Sequence, residues 1–240
     1  MQSASILEQY DIALENKNQT QSSYLIFLAM MSLNIMLCTG VLSMIVKVGF
    51  LYTMAGTLVV PLWFTLNDII AEVYGYKVAK KIIWFGFACQ AIFGIASNLL
   101  IQLPEPGFAH NQHAYQTVLQ PILHICASGF FAFIAGGFIN IYLISKWKIL
   151  LRGRYFWLRS LGASTISEFI FTVLAVLLIQ LGKLPLSGIL TIIITSYSLK
   201  VIYSIFLAYP ANLLALIIKK ADEVDVYDYN TNFNPFKFTD

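Results

Sequence analysis

The chain has 240 residues, of which 58% are hydrophobic and 11% charged, with a formal net charge of +3 and a mean hydropathy of +0.73. A soluble domain carries about 25% charged residues, so this chain lacks the charge to cover a water-facing surface; a soluble globular fold and intrinsic disorder are both excluded. The positive excess is not a nucleic-acid signal, because in a chain of long apolar runs the placement of Lys and Arg matters more than their sum.

Residues 1–23 are polar and slightly acidic, with Glu8, Asp11 and Glu15 against Lys17. They lack the basic start, apolar segment and cleavage site of a secretory signal, and are expected to form a cytoplasmic N-terminal segment. Six apolar runs follow, each near the length of about 20 residues that a bilayer requires of a helix. They are Tyr24–Val46, Phe50–Val73, Ile82–Leu103, Pro121–Ser145, Leu161–Leu181 and Ile189–Ile218. The runs are too long, and alternate too little, for the strands of a membrane barrel. The expected fold is therefore all-α, a polytopic bundle of six transmembrane helices over residues 24–220. An acidic and aromatic cytoplasmic tail, residues 221–240, completes the chain. Pro61 is expected to break the second span, and Pro210 to tilt or kink the long sixth. Cys38, Cys89 and Cys126 stand singly in apolar runs and read as small core residues.

Basic residues in the connections set the orientation. Lys17, Lys77, Lys80, Lys81, Lys146, Lys148, Arg152, Arg154, Arg159, Lys219, Lys220 and Lys237 all fall on one side, twelve of the 15. Lys47 and Lys183 fall on the other, and Lys200 lies inside a span. Both termini are therefore expected in the cytoplasm. The segment Lys146–Arg159 reads as a contact with membrane lipid headgroups.

Charges inside a bilayer cost several kcal/mol and face the bundle interior, where they find partners. Four are candidates for a solute site. Glu168 lies roughly 20 Å from the outer end of span five and Lys200 roughly 17 Å from that of span six, so their heads are expected to meet near mid-membrane. Either the two only hold helices together or they also line a solute path. Ser164, Glu168 and Thr172 share one helical face, as do Tyr197, Lys200 and Ser204. Asp68 and Glu72 stack four residues apart near the negative end of their helix. Lys77, Lys80 and Lys81 are close enough in sequence to offset them. The same stripe runs back through Phe64 and Pro61 to Thr57. Asn34, Gln90 and Asn140 supply one amide per span, for interhelical hydrogen bonds or a ligand. His110 and His113 lack a third metal ligand, and His124 sits near the outer mouth. No HExxH, GxSxG or Walker A sequence occurs, so neither a catalytic centre nor a cofactor or metal site is expected.

The stretch Leu66-Asn67-Asp68-Ile69-Ile70-Ala71-Glu72-Val73-Tyr74-Gly75-Tyr76-Lys77 resembles the signature of the queuosine precursor transporters, formerly called vitamin uptake transporters. Lys80-Lys81-Ile82-Ile83-Trp84, Ser167-Glu168, Ser198-Leu199-Lys200-Val201 with Pro210, and the tail Asn232-Phe233-Asn234-Pro235-Phe236 extend the likeness. The resemblance implies a six-helix bacterial inner-membrane importer of 7-deazaguanine bases, such as the 7-cyano or 7-aminomethyl compound, for queuosine modification of tRNA. It carries no nucleic-acid partner and is compatible with a homo-oligomer. Carried over by position, Asp68, Glu72, Glu168 and Lys200 are the polar residues of the site. Some members have an acid where this chain has Asn140, so a titrating role does not transfer there. Chemically, a carboxylate accepts the paired N1–H and NH₂ donors of a deazaguanine, an ammonium donates to O6, and an aromatic face stacks on the ring. Asn67, Trp63, Tyr197 and Tyr203 complete the candidate set. Two other readings use the same residues: a capture subunit for another vitamin-like solute that docks on a separate energising module, and a membrane scaffold that uses the charges only for packing.

Overall fold

The computed structural model describes residues 23–49, 51–104, 112–229 and 231–237. Helix α1 spans Ser23–Val41 and leads into an antiparallel hairpin, β1 Ile45–Val48 and β2 Leu51–Met54, with Ile45 opposite Met54. A 3₁₀ turn over Ala55–Leu58 enters α2, Val60–Tyr74. Then come α3 Tyr76–Leu100, the short α4 Gln112–Leu119, α5 Ile122–Leu150, α6 Phe156–Gln180 and α7 Leu186–Asp222. Among the described residues, six helical segments are long and apolar enough to cross a membrane. The N-terminal segment, with Lys17, and His110 lie outside the described residues.

The second span departs from expectation. Helix starts at Val60 and not at residue 50, because Ile45–Met54 pairs with itself. Ile45, Val46, Val48, Tyr52 and Thr53 favour pleated backbone, and Gly49 turns the chain at φ +61°. Pro61 therefore breaks nothing. It occupies the first turn of α2, where a missing N–H costs no hydrogen bond. The discontinuity lies just before it, in the 3₁₀ turn. At the sixth span, α7 runs through Pro210 as one helix of 37 residues. At 1.5 Å per residue it is roughly 55 Å long, well beyond a hydrocarbon core of about 30 Å.

Helix α2 is the enclosed centre: 12 of its 15 residues are buried, against 4 of 19 in α1 and 10 of 37 in α7. Its neighbours are α1, α3, α5, α6 and α7, and the largest helix pair is α5 on α6. That pair packs closely because Gly136 faces Phe171 and the Ser167 carbonyl, where a Cβ would approach to 2.9 and 3.1 Å. Gly137 admits Trp63 in the same way, and Trp63 meets Phe64 and Phe133 edge-on at 5.1 and 4.8 Å. Outward faces carry Ile194, Ile202, Phe206 and Leu216 of α7 and Ile92 and Leu99 of α3, all exposed. Apolar residues outside and polar ones at the centre is the arrangement a lipid solvent selects.

The bundle has two ends. At one lie the hairpin and α4. The other carries the α2–α3 and α5–α6 turns and the chain segments 224–229 and 231–237, which lie across it. There Val226 N–H donates to the Val73 carbonyl (3.1 Å), and Tyr76 N–H, at the start of α3, donates to Asp228 Oδ2 (2.9 Å). Tyr76 Oη donates to the Phe233 carbonyl and Trp84 Nε1 to that of Pro235, both at 2.8 Å. Gly75 alone joins α2 to α3. Its φ of +84° and the Val226 methyl 2.8 Å from where a Cβ would stand both require glycine.

Candidate functional site

A narrow cleft lies in the hairpin half of the bundle, with a cavity volume of about 50 Å³. Its walls come from Thr39 of α1 and Leu42 and Ser43 just after it, Gly56 and Thr57 of the 3₁₀ turn, Val60 at the start of α2, Gln90 of α3 and Gly129 and Phe133 of α5. Phe171, Thr172 and Ala175 of α6 and Ser196 and Lys200 of α7 complete it. Of α2 itself Val60 lines the cleft, and the 3₁₀ turn just before it supplies Gly56 and Thr57. The polar lining is mostly hydroxyl. Thr53 Oγ1 sits 2.9 Å from Thr57 Oγ1 and 2.8 Å from Ser196 Oγ, tying the hairpin to α2 and α7.

Lys200 is buried, and its Nζ donates to Thr172 Oγ1 (2.9 Å) while lying 4.5 Å from the centre of the Phe171 ring. Glu168 is one turn deeper on α6. It is fully buried, and Ser204 Oγ approaches both its carboxylate oxygens at 3.3 Å. The expected direct pair between Glu168 and Lys200 does not form: Thr172 holds the ammonium, and its own hydroxyl donates to the Glu168 carbonyl (2.5 Å). A β-hydroxyl one turn above an acid competes for the same cation, which helix spacing alone does not reveal.

Asp68 and Glu72, stacked on α2, have separate environments. Asp68 accepts from Asn140 Nδ2 on Oδ1 and from Ser160 (2.5 Å) and Ser164 (3.0 Å) on Oδ2. Glu72 is held by cations. Arg159 grips it with two parallel bonds of 2.7 and 3.0 Å, and Lys219 adds a third at 2.6 Å. Lys148 donates to the Glu72 carbonyl (2.5 Å) and to Asp225 Oδ1 (2.5 Å), and Lys219 reaches Asp225 at 2.9 Å. The cluster thus ties α2, α5, α6 and α7 to the tail. Partial burial raises the Asp225 carboxyl, but bonds from Lys148 and Lys219 outweigh it and hold the group below the usual carboxylate range.

The balancing cations are therefore Arg159, Lys219 and Lys148, not the neighbouring Lys77, Lys80 and Lys81. Lys80 donates to the tail carbonyls of Asn234 (3.3 Å) and Lys237 (2.6 Å). Arg159 and Lys148, read from sequence as headgroup contacts, are 1% exposed. They sit inside α6 and α5, whose ends extend beyond the apolar runs. Arg159 is one residue, about 100° of helix, away from Ser160, so the face Ser160, Ser164, Glu168, Thr172 did not point to it.

Of the remaining candidates, Gln90 lines the cleft and donates to the Met36 carbonyl (3.2 Å). Asn67 donates to Ser32 (3.2 Å) and to the Trp63 carbonyl (2.8 Å). Trp63 lies in the core behind Phe133. Tyr197 is half-buried between α6 and α7, its hydroxyl 3.4 Å from the Thr165 carbonyl, and Tyr203 is exposed. Asn34 is exposed on α1 and bonds its own helix at the Met30 carbonyl (2.8 Å). The sequence reading missed Ser196, Thr53 and Phe133.

Residues 54–215 match the family described as "Putative vitamin uptake transporter". The chain is also similar to the "Probable queuosine precursor transporter" of Bacillus subtilis (strain 168), at 27% identity over 142 residues. That alignment spans 57% of this chain and 60% of the relative. No solved structure matches the chain.

Proposed function

The chain belongs to this vitamin uptake transporter family, and from that premise we propose that it imports queuosine precursors, 7-deazaguanine bases such as 7-cyano- or 7-aminomethyl-7-deazaguanine. The membrane is the bacterial inner membrane, with both termini inside. The basic residues at the tail end support that orientation, which makes the cleft outward-facing.

The observation that carries the reading is the floor of the cleft, where Lys200, Thr172 and the Phe171 ring meet next to buried Glu168. A planar heterocycle with a carbonyl and an amidine-like edge suits these groups. Its ring lies against Phe171 or Phe133, Lys200 donates to the ring carbonyl, and Thr57, Gln90 and Ser196 serve remaining polar atoms. Glu168 accepts the N1–H and NH₂ edge once Ser204, 3.3 Å from both its carboxylate oxygens, yields. The Glu72 cluster then acts as the closed inner gate.

Cells that cannot make 7-deazaguanines, supplied with labelled 7-cyano-7-deazaguanine, test the reading through label in tRNA. Expression of this protein should confer labelling, and Glu168→Gln or Lys200→Met should abolish it while membrane insertion persists. Labelling by either variant at the wild-type rate would remove that residue from the site.

A further inference from the structure

Asp68 is the carboxyl group that the import reading leaves without a task. It does not line the cleft. It is fully buried between the cleft floor and the inner gate, and among the described residues its hydrogen-bond donors are all neutral: one amide and two hydroxyls. The charged groups on the surrounding helices are committed elsewhere. On its own helix Glu72 is bound by Arg159 of α6 and Lys219 of α7, Lys148 of α5 is bound to Asp225, and Lys200 of α7 donates to Thr172 and acts electrostatically on Glu168. Glu168, the other acid of this interior, brings a like charge. A buried carboxylate without a countercharge costs far more than a carboxylic acid in the same place.

The surroundings also provide for the proton. Asn140 Oδ1 is buried with no hydrogen-bond partner, and a half-turn of that amide presents it to an Asp68 O–H. Ser164, Glu168 and Thr172 climb α6 one turn apart from Asp68 to the cleft floor, while Ser160 leads down to Arg159 and the gate. We infer that Asp68 is a proton-binding site, loaded from the cleft and emptied on the tail side, which couples solute import to a proton gradient. In each cycle the carboxylate takes one proton from outer water and crosses to the inward-facing state as a neutral acid. The proton then leaves to inner water when the Glu72 cluster parts. The coupling rests on the import reading, but binding of the proton does not.

Two measurements test it. In proteoliposomes of wild-type protein, an outside-acid gradient should drive labelled 7-cyano-7-deazaguanine above its external concentration. Asp68→Asn, isosteric and always neutral, should lose that accumulation and keep exchange across equal concentrations. Accumulation by Asp68→Asn with wild-type pH dependence, or a wild type indifferent to the gradient, overturns the coupling. Should Asp68→Asn fail to insert, Ser164→Ala takes its place: it removes one donor to the ionised carboxylate, so the pH for half-maximal accumulation should move upward, and an unmoved profile overturns the proposal. Infrared difference spectra of the wild type in lipid, acid minus neutral, need no solute. A buried protonated-carboxyl band that Asp68→Asn removes supports the site, and its absence in wild type overturns it. If that band is present but no deazaguanine moves, the import reading fails and the proton site stands.

Discussion

On the hairpin side, α2, α6 and α7 surround a cleft with hydroxyls and one ammonium. On the tail side the same three helices bring Glu72, Arg159 and Lys219 together, with the cations 2.6–3.0 Å from the carboxylate. Both regions are polar and buried, yet they are built to respond differently. Neutral hydrogen bonds in the cleft each contribute about 1 kcal/mol and can be traded for those of a solute. A buried ionic cluster must open as a unit, because removing one partner strands an unpaired charge. The first suits binding and release, the second a closed gate.

Breaking the tail side is expected to have the largest effect. Arg159→Ala leaves the buried Glu72 with Lys219 alone and should cost about 3–5 kcal/mol, read as a large fall in thermal midpoint in detergent. A midpoint within a degree of wild type would show that the cluster does not hold the bundle. Lys200→Met should do the reverse. With a neutral hydroxyl and the Phe171 ring as its direct contacts and, among the described residues, no ion pair within 4 Å, the buried ammonium contributes little net to folding, so stability should hold or rise while uptake is lost. Loss of both together would make the cleft as structural as the gate.

Asp225→Asn should loosen the tail by about 1 kcal/mol, since that side chain is 43% exposed and exposed pairs are weak. Faster proteolysis between Asp222 and Phe236 is the readout. The same contact fixes a pH window. The Asp225 carboxyl is lowered in the folded protein, so its contribution is complete above its unfolded value near 4 and is lost as pH falls through the folded value. Tail protection should therefore be flat from neutrality to about pH 5 and weaken only below about pH 4. The smallest effect belongs to Asn34→Ala, whose amide bonds only its own exposed helix turn; it should shift stability by less than about 0.5 kcal/mol and leave uptake unchanged.

The six helices, their interior charges and the basic end of the bundle follow from the residues taken in order. An apolar run of bilayer length with a charge inside it has few other ways to satisfy its backbone and hide that charge. The hairpin was within reach too, since its β-branched residues and Gly49 depart from a helical run, but the apolar character of Ile45–Met54 masked them. The signature acids Asp68 and Glu72 stood out by chemistry, not by role.

Only the tertiary structure decided those roles. Lys148, Arg159, Lys219 and Asp225 approach Glu72 from three helices and the tail, separated by up to 153 residues in the chain. Local periodicity places a side chain on a face but does not say which distant face it meets. Asp68 and Glu72 are one helical turn apart, and one is held by hydroxyls and the other by guanidinium and ammonium. The difference comes entirely from what α5, α6 and α7 bring to each level of the bundle, since in a low-dielectric interior the nearest few donors determine what a carboxyl group can do.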